Sequence, residues 1–88
     1  MDQVLQNLKV QLEQQEWPDV YMFKFIVPNV PEKIAMVSSL FSEEAELSFH
    51  PSKTGKYMSV TSKELMLDVD SIIHRYEVAA RIEGLIAL

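Results

Sequence analysis

The stretch HPSKTGKY, at residues 50–57, is the tight connection around which the fold is organised. Residues 46–51 before it and 56–65 after it alternate apolar with polar side chains, as strands with one buried face do. Gly55 can adopt the positive φ that a short hairpin loop requires. The stretch therefore predicts a β-hairpin in the middle of the chain.

The same order of elements is predicted on each side of this loop. A strand at 20–27 and a helix at about 31–42 precede the hairpin, and a helix after residue 68 and a short strand at about 83–88 follow it. Asn29 is predicted to cap the first of these helices, in a capping box with Glu32, and Asp68 to cap the second. This βαββαβ order predicts an α+β, ferredoxin-like two-layer sandwich, in which two helices lie on one face of a four-stranded antiparallel sheet. Strands one and three should lie in the centre and strands two and four at the edges.

Alternation along the first strand divides the predicted sheet into two faces. The side chains expected to face the helices are Tyr21, Phe23, Phe25 and Val27, joined by Met58 and Val60 from the third strand. The opposite face carries Val20, Met22, Ile26 and Tyr57. Because soluble monomers rarely expose a large apolar patch, we expect this second face to be covered at least in part.

Residues 1–19 are predicted to form an amphipathic helix and a connector outside the domain at 20–88. The helix is capped by Asp2 and ends before Pro18, and its apolar side chains at Val4, Leu8 and Leu12 share one face. This helix is a candidate lid for the second face of the sheet, either on its own chain or on a second copy.

Composition narrows the classes of function. The chain has 88 residues, which suits one domain, and 13 acidic residues against 8 basic ones give a net charge of −5. This balance makes nucleic acid an unlikely partner, because it repels a phosphate backbone on average. The absence of cysteine excludes disulfides and thiolate metal sites, and no apolar run approaches the length of a membrane span. We expect a cytoplasmic protein that is not an enzyme and needs no metal or cofactor.

Two motifs in the central stretch suggest other functions. The segment SKTGK at 52–56 is reminiscent of a phosphate loop, but Tyr57 follows the lysine, and a strand rather than a helix comes next. An RNA-recognition motif has the same order of elements, but it needs two or three stacking rings on its outer sheet face, where this sequence supplies Tyr57. A local basic spot formed by Lys24, Lys53 and Lys56 is where an anionic ligand would be expected.

Several short segments together resemble the YbeD-like family of small bacterial domains of unknown function. They are Lys24, Val27-Pro28, Pro51-Ser52-Lys53, Gly55-Lys56-Tyr57 with Ser59-Val60, and Tyr76-Glu77, and the resemblance spans about residues 20–88. It implies a ferredoxin-like, ACT-like domain in a bacterial cytosol, with no catalytic residues to carry over. The ACT domains that bind amino acids have a glycine at the first strand-to-helix connection, and residues 28–31 lack one.

The sequence as a whole favours a regulatory or protein-interaction module, acting as a homodimer or with another protein. The candidate interfaces are the second face of the sheet and the uncharged last strand with Leu85 and Ala87. A small-ligand sensor of the ACT type and an RNA-binding module are the alternatives.

Overall fold

The computed structural model describes residues 3–88, which form three helices and four strands. In chain order these are α1 (Gln3–Glu13), β1 (Asp19–Pro28), α2 (Pro31–Ser38), β2 (Glu46–Pro51), β3 (Tyr57–Met66), α3 (Val69–Ala79) and β4 (Ile86–Ala87). The predicted cap at Asp2 lies outside the described residues.

The four strands form one antiparallel sheet in the order β2-β3-β1-β4. The long central pair runs from Asp19 opposite Met66 to Pro28 opposite Tyr57. The prediction that strands one and three are central is confirmed, and the predicted bounds of β2 match those of the structure.

Two elements are shorter than their predicted lengths. The last strand was predicted from residue 83, but β4 begins at Ile86, because Gly84 has a φ of 85° and the Leu85 amide donates to the Ile82 carbonyl in a turn. Helix α2 ends at Ser38 rather than near residue 42, and the Leu40 amide bonds the Val37 carbonyl in the turn that follows. Both errors lie at the ends of elements, where turn geometry rather than the hydrophobic period determines the last residue of a helix or the first residue of a strand.

The core lies between the sheet and the helices, as alternation predicts. Phe23 and Phe25 are fully buried, and their rings lie 5.7 and 5.9 Å from the ring of Phe41. Tyr76 of α3 lies within 5.4 Å of the Phe23 ring. Other buried side chains in the same cluster include Val27, Val37, Val60, Ile72, Ile73, Ala79 and Ile82. The face of β1 that carries Phe23 and Phe25 is therefore the inner face.

Helix α1 packs against α3 of its own chain, on the inner side of the sheet. Leu12 is 2% exposed and belongs to the core cluster, and Leu8 packs against that cluster. The Trp17 indole N–H donates to the Leu12 carbonyl at 2.9 Å, and the Trp17 ring contacts Tyr21, which faces inward. This anchor fixes the end of α1 on the inner side, so the prediction of a lid over the outer face of its own sheet is wrong.

One predicted helix cap is confirmed and one is wrong. The Asp68 carboxylate accepts from the Ser71 amide at 2.8 Å at the start of α3. The N-cap of α2 is Val30, without a side-chain bond, because the Asn29 amide group donates to the Gly55 carbonyl at 2.9 Å instead. Asn29 thus connects the end of β1 to the central hairpin loop, where Gly55 has a φ of 76°.

The core contains one polar side chain without a partner. Ser62 is fully buried on the inner face of β3, and its hydroxyl makes no hydrogen bond within the described part of the chain. A buried hydroxyl without a partner has lost its hydration and gained nothing in exchange.

We expect Ser62→Ala to raise the free energy of unfolding by about 1 kcal/mol, because it removes this desolvated group. Urea denaturation measures the change, and Ser48→Ala on the exposed side of β2 is the matched control with an effect near zero. A loss of stability in Ser62→Ala would show that the hydroxyl has a stabilising partner.

Candidate functional site

The face of the sheet opposite the core, here called the outer face, carries a set of exposed apolar side chains. They are Val20 and Met22 of β1, Tyr57 and Leu65 of β3, and Ile86 of β4, and Met22 is 53% exposed. Within residues 3–88 no helix packs on this face, because α1, α2 and α3 all contribute to the core cluster on the other side. Of the two predicted ways to cover this face, the helix α1 of the same chain is thus ruled out, and a second copy stays a prediction.

A concavity lies at one end of the outer face, beside the central hairpin. Strand register places Ile86, Ile26, Ser59 and His50 in one row across all four strands. Lys24, two residues before Ile26 on β1, closes one side of this row. The hairpin residues Pro51, Ser52 and Tyr57 complete the lining, and the cavity volume is about 510 Å³. We call this concavity the Lys24 basin.

The Lys24 basin is apolar at one side and polar at the other. Ile26 and Ile86 form its apolar side, and Ser59 and His50 form its polar side. Lys24 contributes an ammonium group to the basin. Among residues 3–88, no carboxylate lines the basin or lies within ion-pair distance of Lys24. The arrangement can bind a small molecule that combines a negative group with an apolar part.

The central hairpin gives the basin a fixed wall. The Ser52 amide donates to the Tyr57 carbonyl at 2.9 Å, and the Tyr57 amide donates to the Ser52 hydroxyl oxygen at 3.2 Å. The backbone N–H of Asn29 also donates to the Lys56 carbonyl at 2.9 Å. These bonds hold the backbone of Tyr57 against the end of β1.

The structure brings some of the predicted site residues together. Ile26, Tyr57 and Lys24 line one basin, although they were predicted for two different sites. Lys53 and Lys56 are exposed in the hairpin and lie outside the lining, so the predicted basic spot reduces to Lys24 there. Val20 and Met22 lie at the other end of the outer face, next to Leu65.

The remaining predicted residues lie on the inner side of the sheet, around α1. Val4 and Leu8 line a groove with Ala87 and Leu88, with a volume of about 430 Å³. Leu85 is half-buried against the core, and Leu12 is not accessible to a partner, because the core surrounds it.

Sequence reasoning missed five of the eight residues that line the basin: His50, Pro51, Ser52, Ser59 and Ile86. The alternation in residues 46–51 and 56–65 predicts that His50 and Ser59 point outward, so the face on which they lie could be predicted. Their position next to each other depends on the register that aligns β2, β3, β1 and β4. This register cannot be obtained from the alternation in each strand alone.

Two polar pairs lie on the inner side and stabilise the fold. Arg75 donates two hydrogen bonds to Glu64, and the pKa of Glu64 is lowered mainly by this bond and by the Arg75 charge, while burial opposes the shift. The hydroxyls of Tyr21 and Tyr76 lie 2.9 Å apart, and burial together with this bond raises the pKa of Tyr76. Both effects favour the neutral form of the Tyr76 hydroxyl.

Residues 3–88 contain no cluster of three or more His, Cys, Asp or Glu side chains that could hold a metal ion. No helix in residues 3–88 combines the length and the apolar character that crossing a bilayer requires. Comparison with family models, with curated proteins and with solved structures found no match to this chain.

Proposed function

We propose that this chain is a non-enzymatic regulatory or protein-interaction module that acts as a homodimer through its outer face. The observation that supports the proposal is the exposed apolar set on this face, which includes Val20, Met22 and Leu65 side by side on the two central strands. Contiguous apolar surface of this kind marks interaction sites in soluble proteins.

A second copy of the chain is the partner that the charges of the outer face favour. Glu46 lies opposite Lys63 in the β2–β3 register, so the same face presents both signs of charge. A twofold axis brings the same surface of two chains together, and Glu46 of one copy can then approach Lys63 of the other. Pairing through the last strand is less favoured, because β4 has two residues and offers few backbone hydrogen bonds.

We also propose a structural class and a cellular location for this chain. The central position of β1 and β3, with α2 and α3 packed on the inner face, supports a ferredoxin-like domain related to the YbeD-like family. Such a domain would act in the cytoplasm of a bacterium. This part of the proposal rests on topology and on the short sequence segments at the hairpin and at Tyr76-Glu77.

Sedimentation at micromolar concentration tests the dimer. We expect the unmodified chain to sediment as a dimer and Met22→Glu to weaken the dimer at least about tenfold, because a charge in an apolar interface loses its hydration. Met36→Glu is the matched control, since Met36 is 39% exposed on α2, away from the outer face. An unmodified chain that is monomeric at this concentration, or equal effects of the two variants, would contradict the proposal.

A further inference from the structure

The Lys24 basin has the composition of a small-ligand site, and its function is independent of the proposed dimer. We propose that it binds a small organic carboxylate with a short apolar tail. The carboxylate would lie between Lys24 and the polar row of Ser59 and His50, and the tail would lie on Ile26, Ile86 and Tyr57.

The charge pattern selects an anion. The chain carries a net charge of −5, yet within the described residues the basin is lined by a lysine and a histidine and by no carboxylate. Lys24, like the other lysines apart from Lys9, has no ion-pair partner within residues 3–88. An ammonium group without an internal partner is available for a charge-assisted hydrogen bond to a ligand.

The apolar surface selects the rest of the molecule. Two isoleucines from adjacent strands, Ile26 and Ile86, lie opposite each other, and Tyr57 adds an aromatic ring beside them. An inorganic anion would leave this surface wet, whereas an alkyl or aryl tail would cover it. The volume of about 510 Å³ falls in the range of small-molecule sites and is too small for a folded partner.

The walls of the basin are held in place before any ligand arrives. Lys24, Ile26 and Ser59 lie on the two central strands, which are paired over ten residues each. The Leu88 amide donates to the Lys24 carbonyl at 2.9 Å, and this bond fixes the β4 side of the basin. A preformed site loses little conformational entropy on binding, so even a small ligand can bind measurably.

The basin and the proposed dimer contact occupy different ends of the outer face. Val20 lies opposite Leu65 near the start of β1, whereas Ile26 lies opposite Ser59 near its end. Ligand binding can therefore be tested on the unmodified chain, whatever its oligomeric state.

The experiment is a titration of the nitrogen-15-labelled chain with 3-phenylpropanoate, followed by amide chemical shifts. We expect saturable shifts that map to the basin, at residues 24–26, 50–52, 57–59 and 86. The uncharged analogue 3-phenylpropan-1-ol and inorganic phosphate should each bind at least about tenfold more weakly, because each lacks one half of the complementary pair.

A pair of lysine variants assigns the charge. Lys24→Met should weaken binding of 3-phenylpropanoate about tenfold, since it keeps the length of the side chain and removes the ammonium group. Lys63→Met is the matched control, because Lys63 lies on the same face of the sheet, opposite Met22, and outside the basin lining. We expect its affinity to be unchanged.

Several outcomes would overturn the assignment. They are an absence of saturable shifts, shifts that map to the groove beside α1, equal binding of the alcohol, phosphate binding as tight as that of the carboxylate, and equal losses in the two lysine variants. Failure of the dimer is a separate result, because sedimentation of the unmodified chain reports the dimer, whereas the titration reports ligand binding by shifts that map to the basin.

Discussion

Replacing Arg75 with alanine is expected to lower the free energy of unfolding by about 3 kcal/mol. Its guanidinium donates to both carboxylate oxygens of Glu64, with Nη1–Oε1 at 3.0 Å and Nη2–Oε2 at 3.1 Å. The two side chains are 18% and 12% exposed, so the pair is largely withdrawn from water. The variant leaves the Ser42 amide, 3.4 Å away, as the remaining hydrogen-bond donor to the Glu64 carboxylate among the described residues.

Arg75 also packs on aromatic rings, so its charge and its planar shape can both contribute to stability. A second variant distinguishes the two contributions. Its guanidinium carbon lies 5.2 Å from the centroid of the Phe23 ring and 5.4 Å from that of Phe41. Arg75→Lys keeps the charge but loses the bidentate fork and the planar contact, so we expect an intermediate loss of about 1 to 2 kcal/mol. Urea denaturation at neutral pH measures both variants, and an unchanged midpoint for Arg75→Ala would refute the assigned role.

The same pair predicts how stability depends on pH. The pKa of Glu64 is lower in the folded chain than its ordinary value of 4.5, first because of the Arg75 hydrogen bond. A carboxylate with a lowered folded-state pKa contributes stability above its unfolded pKa and loses that contribution as the pH falls through the folded value. The stability difference between the unmodified chain and Arg75→Ala should therefore be full at neutral pH and shrink below about pH 4.5. A difference that stays constant down to about pH 3 would show that packing on Phe23 and Phe41, rather than ionisation of Glu64, is what the variant removes.

The strands and their faces could be predicted from the sequence because they depend on local alternation. The inward direction of Phe23 and Phe25, and the outward direction of Tyr57, follow from a period of two alone. The Asp68 cap follows equally from local chemistry. Each of these features is determined by residues nearby in the sequence: the alternation within one strand sets the side-chain directions, and Ser71, three residues away, is the partner of the Asp68 cap.

The features that the sequence did not reveal depend on pairs of residues that are distant along the chain. Asn29 was predicted to cap α2, but its side chain bonds Gly55, 26 residues later. The Lys24 basin needs the register of four strands, and the Glu64–Arg75 pair needs the crossing of β3 and α3. In each case a local signal was present, and the choice among possible partners was made by tertiary packing.

The position of α1 gives the second large expected effect. Leu12→Ala should lower the free energy of unfolding by about 3 kcal/mol, because the side chain is 2% exposed within the core and its truncation leaves a cavity. Val4→Ala is the matched control on the same helix, since Val4 is 74% exposed and should change stability by less than about 0.5 kcal/mol. Urea denaturation of the two variants measures the contrast.

The contrast between Leu12 and Val4 also decides which surface is left for a partner. If α1 contributes to the core as described, Leu12→Ala destabilises the fold while the outer face and its proposed dimer contact stay intact, so sedimentation of the folded variant should still show the dimer. If Leu12→Ala leaves stability unchanged and abolishes the dimer instead, α1 packs on a second copy in solution. The outer face would then be covered by that helix, and the face-to-face contact of two sheets proposed here would be wrong.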